Sequence, residues 1–128
     1  MNIRRALMTL AALAALGSTP AMAAPALDDP NTVVTVMQFT ARDPANKAEL
    51  AKRMGAIRDY LRKQPGYIEN ALMENRNPDS KPQYVGVSRW KSYKDWENLW
   101  LKEDFQKLVR GVGEIAELNP GTFAPVKR

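Results

Sequence analysis

Hydrophobic positions along this chain follow three rhythms: a continuous run, strict alternation, and spacings of three and four. The continuous run comes first. Ala6 to Leu16 is broken only by Thr9, follows Arg4-Arg5, and leads through Gly17-Ser18-Thr19-Pro20 to Ala21-Met22-Ala23. A basic start, a short apolar core and a small-x-small ending predict a cleavable signal peptide over residues 1–23, with Ala24 as the alternative cleavage point. The run is about half the ~20 residues a membrane helix needs. No second such run follows, so the mature form is expected to be exported, periplasmic or secreted, with no membrane span. Arg4-Arg5 also suggests the twin-arginine route, but Ala6-Leu7-Met8 matches it loosely, and ordinary secretion is the expectation.

Residues 24–32 hold two prolines and several turn formers and read as a flexible leader. Alternation then begins. Val33–Thr40 (VVTVMQFT) is β-branched and aromatic and predicts a strand. Its two faces carry Val34, Val36, Gln38 and Thr40, and Val33, Thr35, Met37 and Phe39. After Asp43-Pro44-Ala45-Asn46 the rhythm changes, and Leu50, Met54, Ile57 and Leu61 form one helical stripe over about 46–63. Charged residues occupy its other faces, and packing on a sheet accounts for that stripe in full. Gln64-Pro65-Gly66 ends the helix. Tyr67–Asn75 and Gln83–Trp90 predict two strands around the turn-rich loop 77–82, with Gly86 allowing a bulge or the close approach of another group. Ser92 with Asp95 starts a helix carrying Trp96, Leu99 and Trp100. A second helical piece is predicted from about Asp104 to Leu118, then a turn at Asn119-Pro120-Gly121, then a short edge strand at Thr122–Val126.

The order strand–helix–strand–strand–helix–strand predicts an α+β domain over 33–128, a ferredoxin-like split βαββαβ antiparallel sheet with helices on one face. The other face, with residues such as Val34, Val36, Leu72 and Trp90, is left uncovered. A mature chain of about 105 residues cannot cover both faces, so a homodimer is expected.

Composition removes several function classes. The chain has no cysteine, hence no disulfide framework, thiolate chemistry or cysteine-linked lipid. It has no histidine either, which removes the commonest metal ligand, the usual general base and the usual haem ligand. Its 19 basic and 14 acidic residues become 17 and 14 without Arg4 and Arg5, and these charges are dispersed. No basic stripe of the kind nucleic acid requires is present.

Gln83–Trp100 (QYVGVSRWKSYKDWENLW) with Asp104-Phe105, and Pro65-Gly66-Tyr67 at the entry to the second strand, resemble the antibiotic-biosynthesis monooxygenase domain family. The resemblance runs from about Val33 to Val126. It implies a dimeric α/β barrel, two sheets face to face, with a pocket between each sheet and its helices. It also implies an oxygenase without metal, flavin or haem, in which the substrate's own carbanion meets oxygen beside a tryptophan and polar groups. A haem-degrading branch uses a first-strand Asn, a third-strand Trp and a helix His. Only the Trp is matched, by Trp90; the Asn position aligns with Gln38, and the His position falls at Leu108 or Val109. Haem degradation by that route is therefore not expected.

The candidate catalytic residues are Trp90, able to stack on a planar ligand, and Asn70, able to hydrogen-bond a developing enolate. Gln38, Tyr67, Tyr84, Trp96 and Trp100 are the candidate substrate-binding residues. Against these stand packing roles: core anchoring for the tryptophans, cross-strand packing for the tyrosines, and a solvent or interface strand face for the amides. Arg89 alternates with Trp90 and so belongs to the opposite face. The leading expectation is a cofactor-independent monooxygenase acting on a small planar aromatic or quinol-like compound. The alternatives are a non-catalytic binding protein for a small hydrophobic ligand and a structural dimer with a filled interior.

Overall fold

The computed structural model describes residues 24–126. The predicted signal peptide lies outside the described residues. Strand β1 (Val33–Ala41) is followed by a 3₁₀ turn (Pro44–Asn46) and helix α1 (Lys47–Leu61). Strands β2 (Tyr67–Glu74) and β3 (Tyr84–Trp90), helices α2 (Tyr93–Trp100) and α3 (Glu103–Gly113), and strand β4 (Ala116–Phe123) complete the domain. The sheet order is β2-β3-β1-β4, and every neighbouring pair is antiparallel. This is the ferredoxin-like split arrangement predicted from the rhythm of the sequence. Among the described residues, no helix is long and apolar enough to cross a membrane.

The helices begin and end where their sequences dictate. The Ser92 hydroxyl accepts from the Asp95 amide N–H and donates to Asp95 Oδ2, so the expected cap forms with Asp in the third position. Past α1, Gly66 takes φ +81°, a conformation that L side chains rarely adopt. A Cβ there would lie 2.3 Å from the Asp95 carboxyl, so this turn also requires glycine for space.

Alternation along β1 gives two unlike faces. Val33, Thr35, Met37 and Phe39 point at the helices and are buried, with Leu50, Met54, Ile57 and Leu61 of α1 packed over them. Register puts Tyr84, Gly86, Ser88 and Trp90 on the same face. Val34, Val36, Val85 and Val87 share the opposite face and remain half-buried. Leu72 and Trp90 therefore do not belong to the uncovered face, contrary to expectation: Leu72 pairs with Gly86, and Trp90 is fully buried under the helices.

Three further differences have physical causes. The bulge falls in β2, between Tyr67 and Glu69, and not at Gly86, which pairs regularly with Met37 and Leu72. Gly86 instead allows a close approach, since a Cβ there would meet the Phe39 ring at 3.4 Å. The last helix stops at Gly113, and β4 begins at Ala116, so Asn119-Pro120-Gly121 lies inside a strand and is not a turn. Its partners on β1 are Gln38, Met37 and Val36. Pairing along the whole of β1 overrides the turn propensity, and a proline is tolerated because β4 is a rim strand. Finally, the leader makes defined contacts. Residues 26–32 form successive turns, and Thr32 is buried. Arg89, on the outer sheet face as alternation requires, donates from Nη2 to the carbonyls of Pro25 (2.6 Å) and Ala26 (3.0 Å). Its Nη1 bonds Glu69 at 2.7 Å. The leader and Glu69 together bury this guanidinium, which is 5% exposed.

Candidate functional site

A cleft lies between α1 and the helix-facing side of β1, β2 and β3. Met37, Phe39, Met54, Ile57, Leu61 and Leu72 form its apolar walls. Its polar lining is Thr35, Ser88, Asn70 and Arg58, with no Asp or Glu. Its cavity volume is about 30 Å³. That is room for one or two waters, so a larger ligand enters only if the walls move. Met37 and Met54 are the flexible members of those walls.

The polar groups reach the cleft by register. Asn70 pairs with Ser88 across β2–β3, and Ser88 with Thr35 across β3–β1. Three strands thus contribute one transverse polar row to an otherwise apolar surface. The bulge in β2 makes this possible. Simple alternation from Tyr67 would put Glu69 on the helix side and Asn70 outside. The extra residue, Ile68, shifts the phase so that Tyr67 and Asn70 share a face. The Tyr67 hydroxyl then donates to Asn70 Oδ1 at 3.1 Å, and Asn70 Nδ2 donates to the Arg58 carbonyl at 3.1 Å. Arg62 Nε also approaches Asn70 Oδ1, at 3.4 Å. One amide N–H of Asn70 remains uncommitted after these bonds.

Trp90 stands behind this row and does not line the cleft. Its indole N–H donates to Ser88 Oγ at 2.9 Å, and Ser88 Oγ is hydrogen-bonded to Thr35 Oγ1. Its ring begins an aromatic cluster: Tyr67 meets it edge-on at 6.0 Å and Trp96 lies 5.5 Å away. Trp96, Trp100 and Phe105 then contact one another at 4.8–6.1 Å. Such edge-to-face contacts contribute about 0.5–1.5 kcal/mol per pair beyond area burial.

The structure therefore gathers only part of the predicted set. Asn70 lines the cleft, and Tyr67 and Trp90 stand just behind it. Gln38 is on the opposite sheet face, paired with Val85 and Asn119, beside Thr40 and Lys81. Tyr84 faces the helices, but six residues from Trp90 along β3, which is about 20 Å of strand. There Lys47 lies 5.9 Å from its ring centre and binds Glu74 at 3.1 Å. The hydrogen bond to Glu74, followed by the Tyr84 interaction, holds the Lys47 pKa above its ordinary value. Trp96 and Trp100 wall a separate surface groove between α2 and β4, with Tyr93, Glu97 and Thr122. Sequence reasoning missed Thr35 and Ser88. Two small hydroxyls among β-formers give no signal until register aligns them. Among the described residues, no group of three or more acidic side chains is arranged to hold a metal ion.

No protein-family model matches this chain, and no curated protein matches it. Solved structures do match. SnoaB, a cofactor-independent oxygenase from Streptomyces nogalater also determined as an Asn-to-Ala variant, is 18% identical with a TM-score of 0.66, covering 77% of this chain and 96% of its own. A Shewanella loihica protein carrying a provisional monooxygenase assignment is 26% identical with a TM-score of 0.57, over 76% and 96% of the two chains. A Nitrosomonas europaea protein, provisionally assigned as an antibiotic biosynthesis monooxygenase, is 10% identical with a TM-score of 0.63, over 75% and 91%. The chain has the fold of the antibiotic-biosynthesis monooxygenases over about three quarters of its length.

Proposed function

We propose that this protein is a cofactor-independent monooxygenase acting on a small planar aromatic or quinol-like compound in the cleft between α1 and the sheet. One observation carries the reading: neutral donors from three strands converge, through a bulge, on an apolar cleft lined by no carboxylate. Such a site favours a substrate that bears an oxygen acceptor and ionises by itself, because the chain supplies no histidine and the cleft no carboxylate to act as base. Hydrogen bonds from Asn70 and from the hydroxyl pair stabilise the enolate oxygen that develops as a C–H proton leaves to solvent. The carbanion gives one electron to dioxygen, the resulting radical and superoxide combine, and a proton completes a hydroperoxide. Loss of water then leaves a carbonyl, so CH₂ and O₂ become C=O and H₂O. The likeness to the S. nogalater oxygenase supports this chemistry.

Export and assembly belong to the same proposal. The signal peptide read from residues 1–23 directs the chain to the periplasm or beyond. Two copies then stack through the outer sheet faces, burying Val34, Val36, Val85 and Val87.

The test is oxygen uptake by the purified mature chain with anthrone-like and quinol substrates, run beside Asn70→Ala. Uptake with one ¹⁸O atom from ¹⁸O₂ in the product, lowered roughly 100-fold in the variant, is expected for loss of a donor to a developing oxyanion. A second reading, a binding protein without chemistry, draws on the Asn70 amide being largely engaged by Tyr67 and Arg58. Stoichiometric recovery of an unaltered ligand, with no uptake across the panel, decides for it.

A further inference from the structure

The hydrogens around Trp90, Ser88 and Thr35 can be counted. An indole N–H only donates, whereas each hydroxyl brings one hydrogen and two lone pairs. The indole hydrogen is given to Ser88 Oγ, and one hydroxyl hydrogen makes the bond between Ser88 and Thr35. One O–H is left over. Either arrangement leaves it at this pair: if Thr35 donates to Ser88, the Ser88 hydrogen is spare, and if Ser88 donates, that of Thr35 is spare. Both residues line the cleft, and they are 1% (Thr35) and 4% (Ser88) exposed.

We propose that the Ser88–Thr35 hydroxyl pair is a specificity determinant of the cleft. It presents a single neutral O–H to a carbonyl or phenolate oxygen of the bound molecule. This inference rests on the cleft being the ligand site. The uncommitted N–H of Asn70, one position across the sheet, is the second donor of the same row. With no Asp or Glu in the lining, the cleft selects acceptor-bearing ligands over ammonium-bearing ones of equal shape.

The probes are 1-indanone and indane, which share a carbon skeleton and differ by one carbonyl oxygen. Binding to the mature chain is followed by ¹H–¹⁵N spectra. The wild type is expected to prefer 1-indanone by about fivefold, the size of one net hydrogen bond. The two single variants, Ser88→Ala and Thr35→Val, each free the other residue's hydroxyl and so keep the preference. The double variant abolishes it, read as the ratio of the two affinities and not as the affinity for indane alone. A purely structural role would not produce this pattern of two silent single changes and one decisive double change. A preference that survives in the double variant overturns the inference while leaving the cleft as the ligand site. Binding of neither compound by the wild type overturns both. Should the double variant fail to fold, the Trp90 indole N–H resonance decides in the wild type. It shifts with 1-indanone and not with indane if the pair is engaged, and equal shifts count against it.

Discussion

Asn70 and Trp90 were both predicted to act in catalysis, and the structure places them differently. Asn70 lines the cleft, but Trp90 is sealed behind Ser88 and reaches it only through a hydrogen bond. A tryptophan with no exposed surface is first an anchor of the core. Gly66 provides the clearest stability prediction at this scale. Gly66→Ala combines a left-handed backbone with a clash against Asp95, the residue that closes the α2 cap. A loss of about 2 kcal/mol or more is expected, which denaturant unfolding would register as a lower midpoint with unchanged slope. Asp95→Ala in the same background should recover part of that loss, since it removes the clashing carboxyl.

At the scale of elements, the sequence was legible wherever one rhythm held for a whole element. The stripe Leu50, Met54, Ile57 and Leu61 is the buried face of α1. The alternation of β1 correctly divides its two faces. The reading failed where tertiary pairing outweighed local preference. Asn119-Pro120-Gly121 has turn chemistry, yet it completes a ladder along β1. Nothing in Tyr67-Ile68-Glu69-Asn70 announces a bulge, yet the bulge decides which side Asn70 serves. The leader carries a contact its own residues do not announce: a buried guanidinium on β3 bonds two of its carbonyls. Arg89→Met should therefore release the leader. Limited proteolysis would detect faster cleavage within residues 24–32, with the domain from Val33 onward remaining intact. Equal cleavage rates would mean that the turns around Asp29 hold the leader unaided.

For the whole molecule, one face of the sheet carries the helices and the other presents half-buried valines. The proposed stacking of two copies through that second face would account for them, and Val36→Glu would then place a charge near the middle of the contact. Light scattering should report a dimer for the wild type and a monomer for the variant, and a monomeric wild type would remove the assembly from the proposal. Activity is expected to follow pH in an unusual way. With no histidine, the chain lacks the side chain whose ordinary pKa falls between pH 5 and 8. The pH dependence of kcat/KM should then track the acidity of the substrate. A more acidic analogue should shift the inflection by its own pKa difference, whereas an inflection common to all substrates would reveal a protein group acting as base.

Pro120 sits in a rim strand at the opposite end of the sheet from β2. A rim strand of alternating residues is ordinarily a template on which further chains can add. Proline offers no N–H to an incoming strand, so the backbone ladder cannot continue unbroken past β4. The sheet cannot be lengthened past β4, which guards a domain without cysteine against growing into fibres through this edge.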